Sequence, residues 1–272
     1  MNNDIVAMIL AAGLGTRLKE LTKDRPKALV ELNGKPLLQH CIENLTAQDF
    51  SRIVINVHHF GEQIIDFVMH QRFDAYIQIS DERDQLMDTG GGIVKATPFF
   101  KGAKAVLVHN VDIISDVNLK QLSEQFIDSK ADAWLFTQDR ETNRKLLFRN
   151  DDQLIGWRNK ADGNFKWVYD SFGEYKEMAF SGMHIFRSDL FSDFESKPQS
   201  IIDLYLKLAK NKRIISQPIH PHFWYDLGKP EQLKLAEIQL KETLTKECRP
   251  DDLEGKDTIA FKAWPDMPSK SE

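Results

Sequence analysis

Ile5-Val6-Ala7-Met8-Ile9-Leu10 runs directly into Ala11-Ala12-Gly13-Leu14-Gly15-Thr16-Arg17, and this passage decides how the rest of the chain is read. The apolar run reads as a buried strand. Gly13 and Gly15 let the backbone turn tightly and come close to a bulky anion, and the successive N–H groups of such a turn form a nest for phosphate oxygens. Arg17 adds a planar fork of donors that is always charged. Lys27, ten residues on and held by Pro26, brings a second cation from another loop. This spacing suggests a triphosphate held from two sides. Two better-known phosphate loops do not fit. The Gly-x-x-x-x-Gly-Lys-Ser/Thr run is absent, and the sixth position of a Gly-x-Gly-x-x-Gly fingerprint is Leu18. On the glycines alone, an ordinary strand-to-loop turn explains the passage equally well.

Outward from this passage, strand-like and helix-like patterns alternate. Strands are expected at 4–10, 52–57, 75–80, 103–109 and 132–138, and helices at 35–48, 60–71, 90–100 and 118–130. Such alternation predicts a largely parallel sheet covered by helices on both faces. Ligands of such sheets sit at the carboxyl ends of the strands. Gly13, Asn110 and Asp112 all fall just after strands, so one pocket can hold them. Residues 144–187 are aromatic-rich and read as hairpins turning at Asp162-Gly163, an antiparallel extension of the sheet. Helix returns at 199–211, a strand at 213–219, and a last helix begins near Lys229-Pro230, where Pro is tolerated in the first turn. The expected organisation is one α/β domain over 1–245 with a Rossmann-like, mixed and mostly parallel sheet. A mixed-charge, Pro-rich tail follows over 246–272.

Composition narrows the class. The 272 residues are 42% hydrophobic, enough for a sizeable core, and a formal net charge of −5 argues against a general nucleic-acid surface. Cys41 and Cys248 form neither a metal nor a disulfide pattern. Met1-Asn2-Asn3-Asp4 has no basic region before a long apolar run, and no stretch approaches a membrane span. A soluble, cytoplasmic protein is expected, a monomer or small homo-oligomer, with no nucleic-acid or membrane partner.

Several longer segments resemble the sugar-1-phosphate nucleotidyltransferases. They are Met8 through Leu18, Arg25-Pro26-Lys27-Ala28-Leu29-Val30 and Gly34-Lys35-Pro36-Leu37-Leu38. Thr89-Gly90-Gly91-Gly92-Ile93 is similar to that family's second glycine loop, and Val108-His109-Asn110-Val111-Asp112 to its metal-binding strand end. Phe180-Ser181-Gly182 and Trp224-Tyr225-Asp226-Leu227-Gly228 resemble its sugar and second metal motifs. Within the family, Asp88-Thr-Gly-Gly-Gly-Ile and the short length look most like the N-acetylmuramate-1-phosphate uridylyltransferases.

The resemblance implies a GT-A-like fold. It also implies attack by a sugar-1-phosphate oxygen on the α-phosphorus of a nucleoside triphosphate, with pyrophosphate leaving. The partners are then an NTP and a sugar-1-phosphate. The nucleophile is already anionic near neutral pH, so no general base is needed. The task is to hold two anions together, with cations, a metal and oriented N–H groups. Ala11, Ala12, Gly13, Gly15, Thr16 and Arg17 are then the nucleotide loop, and Arg17, Lys27 and Asp112 the catalytic residues. Asp112 and Asp226 are the Mg²⁺ carboxylates, since Mg²⁺ prefers one or two carboxylates plus phosphate oxygens. Asp112 read alone fits better as a strand-end Asp making a turn or a helix cap. Asp116 is a rival ligand but fits better as the cap of the helix starting near Asn118. Gly90, Gly91 and Gly92 are expected to form a loop entering a helix at Ile93, whose backbone reads a nucleobase edge. Asp88 either accepts a bond from base or ribose or caps that helix. Asn110, Lys160, Ser181 and Gly182 are the sugar-side candidates, with Arg158, Lys160 and Lys166 available for an acceptor carboxylate.

One departure stands out. Most family members carry Gly before the metal Asp, whereas this chain has Val111, which is expected to crowd the metal or alter the sugar pocket. That keeps open a catalytically silent nucleotide-sugar-binding regulator, beside guanylyl- and thymidylyltransferases. A nicotinamide oxidoreductase is disfavoured by the missing third glycine. His58-His59 and His220 and His222 lack further metal-ligand spacing and are expected to be structural.

Overall fold

The computed structural model describes residues 4–169 and 173–247. Strands β1 (Ile5–Leu10), β2 (Glu31–Leu32), β3 (Lys35–Pro36), β4 (Arg52–Val57), β5 (Tyr76–Asp81), β6 (Ala105–Asn110) and β7 (Ile113–Ser115) alternate with helices α1 (Leu37–Ala47), α2 (Gly61–His70) and α3 (Asp88–Ala96). After α4 (Leu119–Asp128) come β8 (Ala133–Gln138), β9 (Arg144–Phe148), β10 (Leu154–Asn159), β11 (Asn164–Trp167) and β12 (Lys176–Arg187). The described chain closes with α5 (Ile201–Leu208), β13 (Ile214–Pro218), β14 (Trp224–Asp226) and α6 (Pro230–Glu247). Of the tail expected beyond 245, residues 246 and 247 end α6 and 248–272 lie outside the described residues. No described helix is long and apolar enough to cross a membrane.

The main sheet runs β11-β10-β9-β12-β6-β1-β4-β5, with β8 and β13 joined through β12. Strands β6, β1, β4 and β5 are parallel, and β12 crosses antiparallel between β6 and the hairpins β9–β11. The period of two along β1 explains why both faces are covered. Ile5, Ala7 and Ile9 pack with Leu38, Cys41, Ile42 and Leu45 of α1, while Val6 and Met8 pack with Ile93 of α3 and Leu204 and Tyr205 of α5. The hairpin turn at Asp162-Gly163 forms as expected: Gly163 takes φ +72° and the Asp162 carboxylate accepts from Asn164 N–H at 3.0 Å.

The expected glycine loop before Ile93 is corrected: α3 begins at Asp88 and contains Gly90, Gly91 and Gly92. Propensity disfavours glycine inside a helix, but here another backbone lies against it. Gly90 and Gly91 N–H donate to Gln199 carbonyl at 2.9 and 3.1 Å. A Cβ on Gly91 would overlap the Lys197 carbonyl oxygen and stand 3.0 Å from its carbon. Gly91→Ala is therefore expected to cost about 1–3 kcal/mol, read as a lowered Tm. Gly13, where an added Cβ would meet nothing within 4 Å, is the control: Gly13→Ala should leave Tm nearly unchanged. Equal melting of the two variants would contradict the packing argument.

Two buried histidines set an acid limit. His184 lies among Phe180, Phe186 and Tyr205, and neither ring nitrogen has a partner among the described residues. Burial holds it down to about 3 and holds His109 down to about 4. Both values are depressed, so the native state stays neutral where the unfolded chain gains protons. The stability they confer is complete above about pH 6.5 and is lost as pH falls towards those values, at about 1.4 kcal/mol per pH unit per histidine. His184→Leu is expected to flatten the fall of Tm between about pH 6.5 and 4, and an unchanged slope would refute this.

Candidate active site

Four segments meet at the carboxyl ends of β1 and β6. The first is the glycine loop. Gly15 takes φ +65°, and a Cβ there would stand 2.9 Å from Thr22 Cγ2 and 3.0 Å from Lys27 Cβ. This close approach is what brings the loop against the Lys27 segment, and the Thr22 hydroxyl donates to Gly15 carbonyl at 3.1 Å to secure it. Ala11 and Ala12 are buried, whereas Gly13, Thr16 and Arg17 are exposed.

The second segment is the end of β6. Asp112 is buried, and its Oδ2 accepts a hydrogen bond from Lys27 Nζ. Both side chains of this ion pair are about nine-tenths buried. Val111, expected to crowd this place, does not: it is 3% exposed and packs in the core with Leu107, Ile113 and Met183. Beneath Asp112, Cys41 Sγ lies 3.3 Å from His109 Nδ1, and burial, then the Asp112 charge, push the thiol up.

The third segment carries Asp226. Strand β14 pairs antiparallel with β7, Asp226 opposite Ile113, and Leu227 N–H donates to Asp112 carbonyl at 2.9 Å. The two aspartates thus come from distant parts of the chain but lie on hydrogen-bonded backbones. A Cβ on Gly228 would stand 2.9 Å from both Arg17 Cζ and Asp226 Oδ1, so the guanidinium and the carboxylate share one side of that glycine. Asp226 Oδ1 accepts Gly228 N–H at 2.9 Å. A small apolar cluster locks the arrangement: Leu18, beside Arg17, and Leu227, beside Asp226, are buried with Leu37, Leu233 and Ala236. Each such leucine contributes about 1.5–3 kcal/mol.

The sugar-side candidates separate into those at this place and those away from it. In Gly182 an added Cβ would be 3.0 Å from Asn110 Nδ2, so Asn110 and the β12 bulge are in contact. Ser181 is fully buried; its hydroxyl accepts from Met183 N–H at 3.3 Å and its carbonyl from the Trp224 indole at 3.1 Å, so the hydroxyl serves the bulge. Lys160 lies 3.6 Å from Glu177, Arg158 binds the same carboxylate at 2.5 Å, and Lys166 is drawn away to Asp203 of α5 at 2.6 Å.

Three further expectations are corrected or filled in. Gly90 and Gly91 spend their N–H groups on Gln199, so those donors are not open to a nucleobase. Asp88 is exposed with φ +57° and accepts Thr89 N–H at 2.6 Å. Asp116 does not cap α4; Asn118 does, accepting from Gln121 N–H at 2.9 Å. Asp116 instead accepts from the His222 ring at 2.7 Å and from the backbone N–H of His222 and Phe223.

The sequence reading missed a buried relay. Ala11 N–H donates to Asn56 Oδ1 at 2.8 Å, Asn56 Nδ2 donates to Glu82 Oε1 at 2.8 Å, and Met87 N–H donates to Glu82 Oε2 at 3.3 Å. It ties the nucleotide-loop strand end to the start of α3. Burial raises Glu82 above the usual carboxylate range, while the bonds from Asn56 and Met87 act the other way. A polar residue inside the apolar run Ile53–Val57 was the available signal.

Chemically, Asp112 and Asp226 supply hard oxygen donors from neighbouring backbones, and Arg17 and Lys27 supply cations. Among the described residues no three or more His, Cys, Asp or Glu come close enough to hold a metal by themselves. A two-carboxylate set completed by ligand oxygens suits a hard divalent cation; the Lys27 ammonium on Asp112 shows that this buried carboxylate takes a positive partner.

Residues 6–243 match the model of the family described as nucleotidyl transferase. The N-acetylmuramate alpha-1-phosphate uridylyltransferase of Caulobacter vibrioides is 32% identical over 87% of this chain and 97% of its own. The D-glycero-alpha-D-manno-heptose 1-phosphate guanylyltransferase of Campylobacter jejuni is 27% identical over 83% of this chain and 95% of its own. Among solved structures, a putative glucose-1-phosphate thymidylyltransferase from Bacillus anthracis superposes with TM-score 0.72 at 19% identity, covering 88% of this chain and 96% of that one, and so shares the fold.

Proposed function

Because the chain belongs to the nucleotidyl transferase family and is a sugar-1-phosphate nucleotidyltransferase, we propose that it transfers a uridylyl group from UTP to N-acetylmuramate-1-phosphate, using Mg²⁺. The observation that carries the reading is the meeting of Arg17, Lys27, Asp112 and Asp226 at one strand-end site. The base and sugar rest on the 32%-identical uridylyltransferase.

In this reading the N–H groups of Ala11 to Thr16 cradle the triphosphate, and Arg17 takes oxygens of the departing pyrophosphate in a fork that matches phosphate geometry. Lys27 rests on Asp112, and an α-phosphate oxygen is a second acceptor for the same ammonium. Asp112 and Asp226 are the residues that would hold Mg²⁺, which would supply neutralisation of phosphate charge. The acceptor phosphate attacks as an anion, so no residue has to remove a proton. Cytoplasmic placement and a part in cell-wall recycling go with this substrate pair.

The test is competition at equal concentrations with Mg²⁺: UTP against other triphosphates, and N-acetylmuramate-1-phosphate against glucose- and mannose-1-phosphate. UTP and the muramate should win. Preference for GTP with mannose-1-phosphate would overturn the specificity.

A further inference from the structure

Arg140 was not singled out by any motif, yet it lies beside the site. It follows β8, whose carboxyl end faces the same way as those of β1 and β6, since both β8 and β6 pair antiparallel with β12. Its guanidinium carbon sits 4.3 Å from the centroid of the Trp224 ring, and Nη2 donates to Phe180 carbonyl at 2.9 Å. Trp224 in turn is fixed by its indole bond to Ser181 carbonyl. Thus the planar fork is held flat by one aromatic face and one backbone oxygen, both belonging to segments of the candidate site.

What distinguishes this arginine is that no carboxylate among the described residues pairs with it directly. Arg158, Lys160 and Lys166, the cations expected to serve the acceptor, each have a carboxylate within 4 Å. Arg140 has none among the described residues, although it is half-buried, and its Nε is buried without a hydrogen-bond partner. Burial lowers its pKa, and the nearby Asp226 charge acts the other way. A second cation lies behind it. Lys145, 3% exposed, donates to Arg140 carbonyl at 2.7 Å and also forms no ion pair among the described residues. Desolvated positive charge with no carboxylate in direct contact is costly, and a ligand anion offsets it more directly than Asp226 does from a distance.

We propose that Arg140, backed by Lys145, binds an anionic oxygen pair of the sugar-phosphate acceptor, a carboxylate or the phosphate itself. This rests on the transfer reaction proposed above only for the identity of the acceptor. A planar guanidinium stacked on an aromatic ring is suited to bidentate carboxylate or phosphate recognition.

The test uses Arg140→Met, which keeps an apolar contact for Trp224, and Arg140→Lys, which keeps the charge without the fork. Acceptor affinity is measured by calorimetry with N-acetylmuramate-1-phosphate and with N-acetylglucosamine-1-phosphate, which lacks the lactyl carboxylate, and the KM for UTP is measured in parallel. Arg140→Met should weaken acceptor binding about 10- to 100-fold, with Arg140→Lys between it and wild type and the KM for UTP moved less than about twofold. Loss with both acceptors places the fork on the phosphate, and loss with the muramate alone places it on the carboxylate. Unchanged acceptor affinity in a folded variant, or equal losses for UTP and acceptor, would overturn the inference. If Arg140→Met does not fold, an unchanged acceptor affinity in Arg140→Lys overturns it. Wild-type protein that binds the sugar phosphates but releases no pyrophosphate would sink the reaction and leave the anion site standing. Wild-type protein that binds neither would sink both.

Discussion

Asp112→Asn is expected to lower turnover about 10³-fold or more and also to lower Tm. The first effect follows from removing a charged oxygen donor where negative charge must be neutralised. The second follows from the ion pair with Lys27, both side chains about nine-tenths buried. Asparagine keeps the shape but leaves the ammonium without its counter-charge, a defect that costs about 3–5 kcal/mol. The two effects separate in the double variant Lys27→Met with Asp112→Leu. With no buried charge left, its Tm should recover towards wild type while turnover stays lost. Asp226→Asn is the contrasting case, because its Oδ1 bond from Gly228 N–H survives in asparagine and no ion pair among the described residues is broken. It should lose turnover with little change in Tm. Near-normal rates for both single variants would remove the carboxylates from the mechanism.

Arg17→Lys should cost roughly 10²-fold or more in kcat/KM with an almost unchanged Tm. The guanidinium is exposed and lies against Gly228, beside the Asp226 carboxylate, so little packing depends on it. The loop is anchored instead by its buried neighbour Leu18. Lysine preserves the charge but presents a point cation instead of a fork, and bidentate phosphate contacts do not survive that exchange well. The loss corresponds to removal of one transition-state donor. Leu18→Ala is the converse control: it should lower stability by about 2–5 kcal/mol, read as a lowered Tm, while leaving the fork's chemistry in place. A rate for Arg17→Lys within about threefold of wild type would make Arg17 a surface cation.

The strand-and-helix alternation was legible because each central strand is a mostly apolar run. Ile5–Leu10, Arg52–Val57 and Ala105–Asn110 fall within two residues of their expected bounds for that reason. The glycine run in α3 was misread because local propensity says nothing about the backbone of Lys197 to Ile201 arriving against it. Asp116 was misread because a cap two residues from a helix start competes with Asn118, and its actual partners lie in the loop at His222. At the site, Arg17, Lys27, Asp112 and Asp226 stood inside recognisable motifs. Asn56, Glu82 and Arg140 did not. Each looks like an ordinary polar residue until the fold brings it to Ala11, Met87 or Trp224. Val111 illustrates the converse: a departure conspicuous in sequence turns its side chain into the core.

The most direct measurement is ³¹P NMR of the protein with UTP, N-acetylmuramate-1-phosphate and Mg²⁺, followed over time. The account predicts pyrophosphate and a uridine-diphosphate sugar growing in equal amounts, both abolished when the sugar phosphate is omitted or the metal is chelated. Orthophosphate as the product, pyrophosphate formed without the sugar phosphate, or unchanged spectra with this and every other sugar-1-phosphate and triphosphate pair would contradict it.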